Sequence, residues 1–245
     1  MIRLSVNVNK VATLRNSRGG KEPDVLEAVR VCIAAGTPGI TVHPRADQRH
    51  ITISDVHAIA DLLRGSAHVE FNVEGDPRPE LLDLVLKVRP TQCTLVPVTP
   101  GEITSQAGWP TDTPSETLRI AVNGLQKIGV RVSLFVNPTV EAVQWAADIG
   151  ADRVELYTEP FARAFASHDG EQSLSTYAVA AEAAHALGLG VNAGHDLDLR
   201  NLPLFRTLPH LAEVSIGHAL ISHALHVGLH RSVRDYLDVL RETRA

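Results

Sequence analysis

Polar residues able to do chemistry follow one apolar run after another along this chain. In chain order, the runs end on Asn7 and Asn9, His43, Glu70, Glu155, His195 and His218. In a closed parallel barrel the carboxyl ends of all strands meet at one mouth, so residues far apart in sequence can surround one ligand. The pattern therefore predicts a single site rich in amide, imidazole and carboxylate groups.

Two Gly-His turns indicate where an anion would bind. Gly194-His195 and Gly217-His218 each follow a short apolar run and precede a helical pattern. They follow the seventh and eighth predicted strands, where barrels commonly bind phosphate through backbone N–H groups and a helix N-terminus. Either turn alone is more typical of an ordinary tight turn. Together they predict a phosphate site.

A second group of donors follows His43. Arg45, Arg49 and His50 lie within eight residues of the chain, and the planar fork of Arg suits phosphate oxygens. A solvated loop is the alternative interpretation of such a charge run. Because a strand-end histidine immediately precedes it, the run is also a candidate anion site.

The residues alone leave two other features open. Glu70 and Glu155 lie within apolar strands. Pointing into a barrel, either carboxylate would have a raised pKa and could act as a base near neutral pH, whereas pointing outward it would be an ordinary strand residue. Arg15 and Arg18 lie in a first loop that contains Gly19-Gly20, which could close an arginine over a ligand.

Histidine and carboxylate side chains are also metal ligands, so a metal site is an alternative at the same strand ends. However, no His-x-His or His-x-x-x-His pair lies at a strand end. His223, His226 and His230 are interpreted as surface or interface residues of an apparent helix after the eighth strand. We therefore predict no metal ligands in this chain.

Composition excludes several classes of function. A net charge of -5 gives no electrostatic footprint for nucleic acid or an anionic membrane. The chain has no apolar run of about 18 residues and enters a strand at Arg3 without a signal-peptide layout, which predicts a soluble, cytoplasmic protein. Cys32 and Cys93 lie in apolar segments and are predicted to be core residues.

Short β-rich runs alternate with longer helical patterns from end to end, the sequence form of repeated βα units. Eight strands are predicted, at about residues 3–8, 39–43, 68–72, 92–96, 130–135, 152–156, 189–192 and 213–216. Most helices end in Gly shortly before a strand, while the loops at the other end are longer. The expected fold is an α/β (β/α)8 TIM barrel, with residues 1–245 forming a single domain.

Several segments resemble the pyridoxine 5'-phosphate synthase family. They are residues 7–19 (NVNKVATLRNSRG), 39–45 (GITVHPR), 49–51 (RHI), 132–135 (VSLF), 191–195 (VNAGH) and 216–219 (IGHA). The resemblance covers essentially the whole chain. It implies a (β/α)8 barrel that assembles into a homo-oligomer, typically an octamer. It also implies condensation of 3-amino-2-oxopropyl phosphate with 1-deoxy-D-xylulose 5-phosphate to pyridoxine 5'-phosphate, phosphate and water, with no metal or organic cofactor.

The resemblance also implies roles for individual residues. His43 and Glu70 would be proton acceptors, His195 the proton donor and Glu155 the residue that stabilises the transition state. Contacts to the amino-ketone phosphate would come from Asn7, Arg18, Gly217 and His218. Contacts to the deoxyxylulose phosphate would come from Asn9, Lys10, Arg45, His50 and Thr104.

The chain departs from the family pattern at two places. Better-known members carry Asp-His where this chain has Asn9-Lys10, which keeps hydrogen-bonding capacity but removes a negative charge and adds a cation. Asp196 stands where Gly commonly follows the catalytic histidine, so only its backbone N–H is expected to contact substrate. Two alternative functions are a metal-dependent lyase or hydrolase, and a non-catalytic barrel that binds phosphometabolites.

Overall fold

Eight parallel strands close into a barrel in sequence order, with β1 paired to β8. The computed structural model describes residues 1–98 and 105–241. The strands are β1 (Arg3–Asn7), β2 (Gly39–Val42), β3 (Glu70–Gly75), β4 (Gln92–Leu95), β5 (Arg131–Val136), β6 (Arg153–Tyr157), β7 (Gly190–Gly194) and β8 (Leu211–Ile216). The predicted (β/α)8 barrel is confirmed.

Helices surround the barrel and also occupy the loops at its mouth. In the described ranges they are α1 (Asn9–Asn16), α2 (Val25–Ala34), α3 (Ile53–Leu63), α4 (Pro79–Val88), α5 (Ser115–Gln126), α6 (Val140–Ile149), α7 (Glu159–Ala166), α8 (Gly170–Ala186), α9 (Leu202–Phe205), α10 (His218–Val227) and α11 (Leu229–Arg241). Three of them, α1, α7 and α10, begin one residue after a strand and bring their first turns to the mouth. Within the described part of the chain, no helix is both long and apolar enough to cross a bilayer.

The apolar core lies between the strands and the helices. Outward strand residues such as Leu4, Val6 and Val73 are fully buried against the helical layer. Cys32 and Cys93 are buried free thiols, as the apolar segments around them predict.

The interior of the barrel is polar and hydrogen-bonded. The Ser5 and Thr41 hydroxyls lie 2.6 Å apart, and Asn72 donates to Thr41 at 3.4 Å. Thr94 lies 3.1 Å from the Asn72 carbonyl oxygen and 3.5 Å from the Glu155 carboxylate. These bonds link β1, β2, β3, β4 and β6 across the interior.

The third strand begins later than its sequence pattern predicts, and this changes the position of Glu70. Because Glu70 opens β3 and pairs in register with Gly39, the first residue of β2, it lies at the amino end of the barrel. There its carboxylate forms ion pairs with Arg131 and, at 3.5 Å, with Arg3. The expectation that Glu70 reaches the mouth is wrong. Side chains of a strand alternate between two faces, so Asn72 and Glu74 continue the same inward row, and Glu74 is the carboxylate at the mouth.

Candidate active site

A cavity of about 450 Å³ opens at the carboxyl ends of the strands. Most of the residues predicted from sequence line it: Asn7, Asn9, Lys10, His43, Arg45, His50, Glu155, His195, Asp196, Gly217 and His218. Its size falls in the range of small-molecule sites, about 300–1,000 Å³. The strand ends therefore form one site, as the polar residues that follow the apolar runs predict.

Two predicted site residues do not line this cavity, and a third lies outside the described residues. Glu70 lies at the opposite end of the barrel, as described above. Arg18 is exposed in the turn that follows α1 and does not line the cavity. Thr104 lies outside the described residues.

Two buried carboxyl groups, those of Glu74 and Glu155, line the cavity. Glu74 and Glu155 are 8% and 4% exposed. Burial and the charge of Glu155 raise the pKa of Glu74 well above its usual value. Burial and the neighbouring Glu213 likewise raise the pKa of Glu155. Because two such carboxylates resist being charged together, the pair retains a proton at pH values where an exposed glutamate has lost it.

His43 lines the same cavity and can accept a proton on its imidazole ring. The side chain is buried, and its Nε2 atom has no hydrogen-bond partner among the residues that the structure describes. Burial lowers the pKa of His43 well below its usual value, and the nearby His50 and Arg45 lower it further. The ring is therefore neutral near pH 7, which is the form of a base.

His195 faces the cavity from the turn after β7. Its ring packs against Phe135 and Tyr157, with centroids 5.6 and 5.5 Å away. Burial lowers the pKa of His195, while Asp196, whose carboxylate lies 3.9 Å from His195 Nδ1, opposes that shift. Half of the Asp196 side chain is exposed, so it lies at the edge of the site rather than against a bound anion.

Asn9 and Lys10 open α1 at the rim of the cavity. The Asn9 side-chain oxygen accepts a hydrogen bond from the His43 backbone N–H at 2.9 Å. An Asp could accept the same bond, so Asn9 preserves this link without the negative charge. Lys10 acts at longer range, because its charge lowers the pKa of both His50 and His195.

One end of the cavity is suited to an anion through a helix N-terminus. α10 begins at His218, and its capping residue Gly217 provides no side-chain bond to the N–H groups of the first turn. A Cβ atom at Gly217 would lie 3.1 Å from Asn7 Cβ, so glycine allows the turn to approach β1 closely. Unpaired N–H groups at such an end bind phosphate.

Arg45 and His50 line the cavity from the loop after β2. Burial, Arg45 and Lys10 together lower the pKa of His50 to about 4. Arg15 anchors the loop by donating to the His50 carbonyl at 3.2 Å and by a bidentate pair with Asp55 at 2.6 and 2.8 Å. Arg15 is therefore a structural anchor and not the ligand-closing arginine that its loop position suggests.

A larger groove of about 1080 Å³ opens beside the cavity and shares Asp196 and His218 with it. None of the four titratable groups His43, Glu74, Glu155 and His195 lines this groove. The smaller cavity is therefore the candidate active site. Within residues 1–98 and 105–241, no cluster of three or more His, Cys, Asp or Glu side chains is arranged to hold a metal ion.

Comparison with known proteins identifies the family. The family model described as "Pyridoxal phosphate biosynthesis protein PdxJ" matches residues 4–242. This chain belongs to the PdxJ family. Its PdxJ relatives include pyridoxine 5'-phosphate synthase from Bacteroides fragilis, 52% identical over 242 residues that cover 98% of this chain and 100% of that protein. The synthase from Xanthomonas axonopodis pv. citri is 52% identical over 249 residues, covering 98% and 96%. The resemblance inferred from the sequence motifs is confirmed.

Solved structures outside the PdxJ family share the barrel only. Tryptophan synthase from M. tuberculosis superposes with a TM-score of 0.67 at 11% identity, covering 99% of this chain and 93% of that chain. Thiamine phosphate pyrophosphorylase from Pyrococcus furiosus gives 0.61 at 13% identity, covering 98% and 95%. At such low identity these matches support the fold and nothing about the chemistry.

Proposed function

We propose that this chain is a pyridoxine 5'-phosphate synthase that condenses 3-amino-2-oxopropyl phosphate with 1-deoxy-D-xylulose 5-phosphate. The products are pyridoxine 5'-phosphate, inorganic phosphate and water. The observation that carries the proposal is the convergence of His43, Glu74, Glu155 and His195 in one cavity that is also lined by two candidate phosphate sites. The names of its full-length relatives support the same reaction.

The reaction needs several proton transfers, and the cavity offers groups for each direction. The substrate amine forms a Schiff base with the sugar ketone and releases water. Phosphate then leaves, and a carbon–carbon condensation closes the ring with loss of a second water. Neutral His43 accepts a proton. Glu74 takes the acceptor role that the family resemblance gave to Glu70, because Glu74 is the carboxylate at the mouth. His195 donates a proton, and Glu155 stabilises charge that develops in the transition state.

Two phosphorylated substrates need two separate anion sites. The N-terminus of α10, with Asn7, Gly217 and His218, binds the phosphate of the amino ketone. Arg45 and His50 bind the phosphate of the deoxyxylulose substrate, and Lys10 adds a positive charge at the rim. A phosphate beside His50 raises the pKa of that side chain and so strengthens the binding. Contacts from Arg18 and Thr104 stay predictions.

The test is a product assay with purified protein and both substrates, before and after treatment with a strong chelator. We expect fluorescent pyridoxine phosphate in both samples at equal rates. An essential stoichiometric divalent ion would instead assign a metal-dependent lyase or hydrolase. Binding of both substrates without product at any pH would assign a non-catalytic binding barrel, with Asn9-Lys10 as the lesion.

The family resemblance also supports three proposals about the whole protein: residues 1–245 form one domain, the chain functions in the cytoplasm, and it assembles into a homo-octamer. Light scattering coupled to size-exclusion chromatography tests the assembly. With a chain mass of 26.5 kDa, we expect a particle eight times as heavy. A species of one chain at assay concentration would contradict the proposed assembly.

A further inference from the structure

The turn that carries His195 has an unfavourable backbone. His195 has φ 89° and the following Asp196 has φ 57°, and neither is glycine. A residue held in such a region costs on the order of 1–3 kcal/mol and persists only where surrounding contacts fix it. The contacts that fix this turn therefore determine where the His195 ring points.

Thr158 makes those contacts from the end of the neighbouring strand. This residue follows β6 directly and is fully buried. Its backbone N–H donates to the Gly194 carbonyl at 3.1 Å. Its hydroxyl lies 2.7 Å from the same carbonyl and also contacts the carbonyl of His195. A hydroxyl has one proton, so the two carbonyl oxygens share it.

The other side of the turn is confined by Glu155. A Cβ atom at position 194 would lie 2.4 Å from Glu155 Oε1, so only glycine fits between that carboxylate and the strand. The His195 ring is held separately, by Phe135 and Tyr157. The backbone of the turn thus lies between Thr158 and Glu155, and the ring lies between two aromatic side chains.

We infer that the Thr158 hydroxyl is a positioning residue for His195. It does not line the cavity, so it acts through the turn and not on substrate. Removing the hydroxyl leaves the His195 carbonyl without this donor and lets the strained turn relax. The imidazole then moves away from the position that proton donation requires. This inference rests on the proposed role of His195 as the proton donor.

The test compares Thr158→Val, which removes the hydroxyl at nearly constant volume, with Thr158→Ser, which retains it. We expect Thr158→Val to lower kcat by about 10²-fold, because a misplacement of about 1 Å can cost that much. KM for both substrates should stay within about twofold, the pattern of an interaction used only in the transition state. Thr158→Ser should restore most of kcat. If the Val variant does not fold, Thr158→Ala against Thr158→Ser isolates the hydroxyl.

Two measurements separate this inference from the proposed function. If the unmodified protein makes no pyridoxine phosphate, the proposed function fails, and NMR titration of the His195 ring still tests positioning. A changed His195 pKa in the hydroxyl-free variant, restored in Thr158→Ser, supports the inference. An unchanged ring pKa, or a hydroxyl-free folded variant with normal kcat in the active enzyme, overturns it. A melting temperature lowered equally in Thr158→Val and Thr158→Ser, with kcat unchanged in both, also overturns it.

Discussion

His195→Asn is expected to lower kcat by about 10²- to 10⁴-fold, the contribution of a general acid. The fold should survive this substitution. Asn tolerates the left-handed backbone better than most residues, and position 195 has φ 89°. The Asn side chain also fits the space between Phe135 and Tyr157. Steady-state kinetics with both substrates, together with circular dichroism, provide the measurement.

His210→Asn is the matched control for this experiment. His210 also has a positive φ, 60°, but its ring lies outside the cavity, stacked on His185 and 2.9 Å from Glu182. The control variant should keep the normal kcat. A near-normal rate in folded His195→Asn would remove His195 from its proposed role.

Glu74→Gln is expected to lower kcat by about 10²- to 10⁴-fold, while Glu70→Gln leaves it within about threefold. Both positions point inward on β3, one at each end of the barrel. Glutamine preserves the shape of each side chain and removes only its ability to ionise. Loss of kcat in the Glu70 variant, with a normal rate in the Glu74 variant, would reverse the assignment.

Stability measurements at two pH values test whether the loss of kcat in Glu74→Gln comes from the lost carboxylate and not from a less stable fold. Burial raises the pKa of Glu74 in the folded state, so the folded protein binds this proton more tightly than the unfolded chain. The free energy of unfolding therefore falls as pH rises from the ordinary glutamate pKa through the raised value. Glu74→Gln lacks this dependence, so denaturant titrations should show it gaining stability over the unmodified protein as pH rises. The free energy of unfolding of Glu70→Gln should fall by about 1–2 kcal/mol, because Arg131 loses its ionic partner while its bond to Gln92 remains.

The eight-strand pattern predicted the fold because buried parallel strands and amphipathic helices have distinct periodicities. Loop positions after strands likewise predicted His43, His195 and Gly217 at one mouth. Which of Glu70 and Glu74 lies at the mouth was not predictable in this way. Glu70 and Glu74 differ by an even number of residues, so alternation places both inside the barrel. Only the register with β2 shows that Glu70 lies at the amino end of the barrel and Glu74 at the mouth.

Thr158 could not be found from sequence at all. Its importance depends on the positive φ of His195 and on the distance between two neighbouring strand ends, neither of which a local pattern encodes. The orientation of Glu155 was open because strand alternation alone does not show which face of a strand points into the barrel. The structure settles its position, since Glu155 lies 3.5 Å from the Thr94 hydroxyl inside the barrel.

The polar interior of the barrel restricts how this enzyme can evolve. Most such barrels are filled with branched apolar side chains that can be exchanged without touching the site above them. Here the bonds from Ser5 through Thr41, Asn72 and Thr94 lead to Glu155 at the mouth. Substitutions within one hydrogen-bond network are not additive. Mutations that raise stability without altering the chemistry should therefore accumulate in the outer layer, between strands and helices, while the inner residues change only together.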